Sequence, residues 1–409
     1  MMPRTSPPSL PAFRRAVTYG TAALGLVLST ACDTDMVVPP HPPLLASPVM
    51  AVLGRAQVSE RFTGEVWVRG NIAYTTTWGR RTEVGNAVKI WDITSATPVL
   101  VDSLIAPDAV TLGDIQTSDD GTLLIVATEF APGSIMIYDL ADPVKPQLIT
   151  RYNTPRTNPG VHTAEVQRVN GRLYAFLSVD PPARLVIVDI TDPATPVEVF
   201  TALMGEPFMH DVFVRDGILF TAIWNGGVSI WDIGGGGNGS VASPRQIGNV
   251  PTIGGKVHNV WWYHSAGGEK RYAFVGEEGP GSLGVHSSGD IHVVDVSDLA
   301  APREVAFFRV LGAGTHNFSV DEGRGILYAA YYNGGVRAID IRGDLSACSA
   351  ALRDGLGRCD LARMERELAH GPADEGPVHI WGVHFAGGRI YASDMLNGLW
   401  VLDANIPLD

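Results

Sequence analysis

Five of the eleven histidines recur at one position of a repeating pattern: His162, His210, His258, His316 and His379. Their settings are Gly160-Val-His-Thr, Phe208-Met-His-Asp, Lys256-Val-His-Asn, Gly314-Thr-His-Asn and Pro377-Val-His-Ile, each opening an alternating, strand-like run. Neutral imidazole is the commonest protein ligand of transition metals, and it titrates near neutrality. Several imidazoles converging on one point would form a metal site, with zinc, copper or iron as the ion. Two other roles suit the same residues. They, or the residues that follow them (Asp211, Asn259 and Asn317), can bond the backbone of neighbouring segments and serve packing alone. They can also recognise a small polar ligand or a peptide without metal.

Convergence needs elements that place the five histidines on one axis, and a repeat supplies them. An apolar run ending in aspartate occurs seven times: Ile90-Trp91-Asp92, Ile137-Tyr138-Asp139, Ile187-Val188-Asp189, Ile230-Trp231-Asp232, Val293-Val294-Asp295, Ala338-Ile339-Asp340 and Val401-Leu402-Asp403. The aspartates stand 47, 50, 43, 63, 45 and 63 residues apart. A strand-rich repeat of roughly 40–50 residues is the signature of propeller blades, each a four-stranded sheet that cannot bury its faces alone. Ahead of most of the aspartates stands a hairpin pattern, as in the two alternating runs around Asp216-Gly217, a dipeptide that accepts the positive φ of tight turns. The expected fold is all-β, a seven-bladed propeller.

In that architecture the loops entering the inner strands and those joining second to third strands open on one face. The first set brings the histidines, replaced in the first two blades by Gly64-Glu65 and Gly113-Asp114. The second brings Trp78, Glu129, Asp180, Trp224, Glu277, Glu278, Tyr331 and Asp394. The predicted site is an axial funnel in which the five histidines join Trp78, Glu129, Trp224, Glu277, Tyr331 and Asp394. The pair Glu277-Glu278 falls in a glycine-rich stretch, Gly276 to Gly289, where solvated carboxylates are the ordinary expectation. The aspartate ending each third strand reads as structural, since it recurs in every blade and a catalytic group is needed once.

The run Leu185-Val-Ile-Val-Asp189, followed by Asp192-Pro193 and Pro196, resembles the LVIVD-repeat β-propellers of bacterial envelopes. The resemblance covers about residues 55–409. It implies the propeller fold and an envelope setting, and it imports little chemistry.

Residues 1–31 fit that setting. Arg4, Arg14 and Arg15 give a basic start, Ala16 to Leu28 form an apolar segment too short to span a bilayer, and small residues follow. Ser29-Thr-Ala-Cys32 resembles a bacterial lipobox, which would make Cys32 a lipidated first residue; the alternative is plain secretory cleavage with Cys32 incidental. The proline-rich residues 32–48 read as an extended spacer. From 49 to 409 the chain reads as the propeller. The last repeat lacks an outer strand, and residues around Val58 to Phe62 are expected to supply it and close the ring. Cys348 and Cys359, in a loop between the sixth and seventh repeats, suit a local disulfide in an exported protein, and Leu361 to Leu368 reads as a helical insertion within 343–370. The glycine-rich residues 234–250 read as a mobile loop.

A net charge of −13 argues against nucleic acid as a partner. There is no Gly-x-Ser-x-Gly elbow, phosphate-binding glycine loop or His-Glu-x-x-His motif. The functional expectation is an exported, lipid-anchored binding or scaffold module at the cell envelope, its partner an envelope protein or a small polar ligand. The alternative is a metal-dependent oxidoreductase or lyase centred on the funnel.

Overall fold

The computed structural model describes residues 47–205, 207–373 and 375–408. The expected export signal, Cys32 and nearly all of the spacer lie outside them. Seven antiparallel sheets follow one another along the chain. Blades 1 to 4 occupy residues 62–105, 111–152, 161–203 and 211–250. Blades 5 and 6 occupy 257–308 and 318–371, and blade 7 takes 380–403 together with Val52–Ala56.

The third strands are the best-buried elements. Arg184–Asp189 is buried at every position after the first, as a strand packed between neighbouring sheets must be. The outer strand Val99–Ile105, by contrast, is largely exposed. The core is a series of inter-blade layers: Phe176, Leu185 and Ile187 of blade 3, for example, pack on Val212, Val214 and Leu219 of blade 4.

The recurring aspartates have one task. In all seven blades Oδ1 accepts the backbone N–H two residues ahead, at 2.7–3.1 Å. This Asx turn ends the third strand and, in blades 1 to 6, starts the chain toward the outer one. Asp232 goes further: its two oxygens accept the amides of Gly234, Gly236, Asn238 and Gly239. The glycine-rich stretch is therefore organised around a carboxylate, and its end, Arg245–Val250, is the outer strand of blade 4. The expectation of a mobile loop over 234–250 is corrected accordingly.

Two further expectations change. The ring is closed by an N-terminal strand, but that strand is Val52–Ala56, paired with Gly398–Asp403. Val58 is buried against Leu399 and Val401, and Phe62 already begins the inner strand of blade 1. The insertion between blades 6 and 7 is not helical over Leu361 to Leu368. Its one helical element is a 3-10 turn, Ala350–Leu352. Glu365 has φ of +59°, which a helix does not admit, and Glu367–Gly371 serves as the outer strand of blade 6. The need to complete that sheet overrides local helix propensity. Cys359–Asp360 adds a fifth, parallel strand to blade 5, and Cys359 is joined to Cys348 by a disulfide.

Candidate functional site

Each inner strand starts at the face where the second strand ends, as the pairing of Val161 with Val179 shows for blade 3. That register brings four of the five histidines around the mouth of a central channel of about 450 Å³. Successive rings stand 4.1, 4.0 and 4.1 Å apart between centroids from His162 through His210 and His258 to His316. His162 Nε2 lies 3.0 Å from His210 Nε2, and His162 Nδ1 lies 3.1 Å from Glu129 Oε1. On the other side His210 Nε2 stands 3.4 Å from Glu278 Oε2, whose second oxygen accepts the Tyr332 hydroxyl at 2.6 Å. His316 is fixed by Nδ1–H donation to the Trp381 carbonyl, 2.6 Å.

His258 differs from its neighbours. It is 2 % exposed, and neither of its ring nitrogens has a hydrogen-bond partner. His210 Nδ1 is likewise buried without one. Unpaired polar atoms in such a place cost on the order of 1–3 kcal/mol each, so the cluster is incomplete as a packing device. Donor atoms of His210, His258 and Glu278 all lie within 4.8 Å of one another. Donors that share an ion with bonds of about 2.0–2.2 Å stand within roughly 4 Å of one another, so the three side chains would have to draw together to hold one.

The electrostatics favour that donor set. Burial and the imidazoles of His210 and His316 hold His258 well below the ordinary histidine range, leaving it neutral. Burial and the charge of His162 lower His210. Burial opposes ionisation of Glu278, but hydrogen bonds from His210 and the Tyr332 hydroxyl favour the carboxylate and hold it below its usual range. At neutral pH the centre thus offers two neutral imidazoles and one carboxylate. His162 is the exception: burial disfavours its imidazolium, yet Glu129, Glu278 and Asp180 push it up to about 9.

The other predicted funnel residues divide. Glu129 holds His162, Trp78 lines the channel tilted against Trp381, and Trp224 stacks on His210 at 5.8 Å. His379 stays outside the cluster; its Nδ1 accepts the Gly284 amide at 3.1 Å and its ring packs on Tyr332. Three predicted residues are not in the funnel. Glu277 points toward His292 inside blade 5, 3.5 Å away. Tyr331 donates to the Gly289 and Phe308 carbonyls. Asp394 is wholly buried, accepting the His379 amide and the Trp400 indole N–H.

The places of Glu277 and Tyr331 are taken by their sequence neighbours. Glu278, expected to be solvated, is 8 % exposed, and Tyr332 is 0 % exposed. Both pairs stand where the second strand ends, so the turn of the backbone there decides which member reaches the axis. Tyr332 does so with φ of +42°, a left-handed backbone that a tyrosine seldom adopts.

Deeper in the channel the inner strands contribute Glu65, Asp114, Glu165 and Asp211. Burial, then Asp114 and Asp211, push Glu65 up to about 8, and burial with Asp114 pushes Asp211 up to about 7. Burial and the same neighbours raise Glu165 well above the carboxylate range.

The family model of the LVIVD repeat matches residues 174–203, the second, third and outer strands of blade 3. The chain carries a match to the LVIVD repeat within a seven-bladed β-propeller. Its fold is similar to the crystal structure of Sqt1 from Saccharomyces cerevisiae, with a TM-score of 0.55 at 9 % identity over 87 % of this chain and 86 % of that one. At that identity the likeness shows architecture alone. No curated protein matches the sequence. The propeller therefore has to be read from its own site.

Proposed function

We propose that this propeller is an exported binding module whose channel mouth holds a transition metal, zinc, copper or iron, on His210, His258 and Glu278. The observation that carries the reading is His258, a buried neutral imidazole with two unpaired nitrogens beside a second imidazole and an ionised carboxylate. When bound, the ion supplies a Lewis-acidic point at which a small polar ligand is captured. The chain's own residues do the rest. Tyr332 fixes the orientation of Glu278, the Trp381 carbonyl fixes His316, and Glu129 keeps His162 charged at the rim. Such second contacts orient ligands and tune their basicity.

Export and a lipid anchor belong to the same proposal. They are supported by the basic start and apolar segment of residues 1–31, by Cys32 in its small-residue setting, and by the Cys348–Cys359 disulfide, a bond that persists in oxidising compartments. The mature protein would then work at the cell envelope, presenting its mouth to a small polar ligand or to an envelope protein.

The metal is tested by elemental analysis of protein purified without a histidine tag. One equivalent is expected in the wild type, and none in His258→Ala or Glu278→Gln, while His379→Ala retains it. A metal-free wild type, or metal that survives both ligand substitutions, overturns the assignment.

A further inference from the structure

Below the histidines the channel has a chemistry of its own, independent of the metal donors. Glu65, Asp114, Glu165 and Asp211 come from the inner strands of blades 1 to 4 and line one cavity. Their hydrogen-bond partners are neutral: Asn317 Nδ2 donates to Glu65 at 2.6 Å, and the Ala164 amide donates to Asp114 at 3.1 Å. Arg215 is the single lysine or arginine among the described residues that line the cavity, and its guanidinium is held by both oxygens of Glu322. Four carboxyl groups therefore share a buried space whose charged bases are His162 at its rim and the Glu322-bound Arg215, too little positive charge for all four to ionise together until a further cation enters.

A second observation points the same way. Asn259 follows His258 as Asp211 follows His210; it lines the same channel, is 4 % exposed, and its Oδ1 has no partner. The walls between the carboxyls are aromatic. Trp67 packs edge-on against His384 at 4.7 Å, and Phe213 lies against Trp261 at 5.4 Å. Indole faces do nothing for a small hydrated metal ion, but they attract alkylammonium groups, which also shed their water cheaply. A volume of about 450 Å³ suits a small organic molecule.

We propose that the channel binds an organic cation, an alkylammonium group seated between these carboxylates and the faces of Trp67 and Trp261. The site goes beyond the metal reading, because none of its groups is among the three metal donors.

The probe is choline, with its uncharged carbon isostere 3,3-dimethylbutan-1-ol as the control and calcium chloride as the inorganic competitor. Titration calorimetry on the full chain, before and after chelator treatment, should show saturable choline binding in both states. The isostere should bind at least about tenfold more weakly, and Glu65→Gln and Asp211→Asn should each weaken choline by about tenfold, as loss of a buried opposite charge predicts. The comparison of choline with its isostere uses wild-type protein, so it stands even where a variant folds poorly. Equal binding of the two probes, absence of choline binding, or displacement of choline by calcium at equal concentration overturns the proposal. Choline binding confined to the untreated protein would assign the effect to the metal centre and equally overturn it.

Discussion

His292 has no exposed side-chain surface, yet it sits between two carboxylates. Its Nδ1 meets Glu304 Oε1 at 2.7 Å, Glu304 is also held by Arg358, and Nε2 faces Glu277 at 3.5 Å, an electrostatic contact too long to be a hydrogen bond. Burial disfavours the imidazolium, but Glu277 and Glu304 outweigh it and push His292 up to about 9. A group raised above its unfolded value of about 6.5 stabilises the fold fully below that pH and loses the contribution as pH rises through the folded value. The denaturant midpoint should therefore fall between pH 6.5 and 9.5, and His292→Gln should flatten that fall. Glu304→Ala, which strands the buried imidazolium, should cost about 3–5 kcal/mol in chemical denaturation. A pH-independent midpoint in the wild type would count against a charged His292. At this same scale the sequence was least readable. That a carboxylate and a tyrosine of blades 5 and 6 reach the mouth was visible; that they are Glu278 and Tyr332 was not. The choice depends on which way the strand end turns, and a positive φ at Tyr332 is invisible in residue types.

Among the elements, Val52–Ala56 carries the most consequence for its size. It covers the otherwise open edge of Gly398–Asp403, and the residues just before it clip to blade 6: Met50 N–H donates to the His370 carbonyl at 2.8 Å, and Met50 is 3 % exposed. Removing residues 1–46 should leave the unfolding midpoint unchanged. Extending the deletion through residue 56 should lower stability by at least roughly 2–5 kcal/mol, the range for emptying one buried methionine site, and should promote association through the bared edge. Identical melting of the two truncations would remove the strand from the ring. The existence of a closing strand was legible because the last repeat stops one strand short. Its position was displaced by a few residues because Val58 and Phe62 are as apolar as Val52, and only packing shows that Val58 fills a layer instead of pairing. The insertion misled for a related reason: Leu361 to Leu368 has helix-forming residues, but blade 6 had no other outer strand to use.

For the whole molecule, the seven aspartates made the ring legible in the sequence, since one of them closes the third strand in every blade. What the mouth of that ring serves depends on where the protein resides. Among the described residues no helix is long and apolar enough to cross a membrane. The proposed attachment is through Cys32, which lies outside them. Cys32→Ser should then shift the protein from the membrane fraction to the soluble fraction with its unfolding midpoint unchanged. A variant that still sediments with membranes after a high-salt wash would show that Cys32 is not the attachment.

The register of blade 7 also fixes which way the molecule faces. Asp394 pairs with both Ile380 and Gly398, so the third strand starts at the histidine end and runs away from it to Asp403. Val52 pairs with Leu402 and Ala56 with Leu399, so the closing strand starts at the opposite end. The chain therefore both enters and leaves the ring at the far side. A tether attached close to Val52 or Asp403 thus meets the ring on the face opposite the histidines.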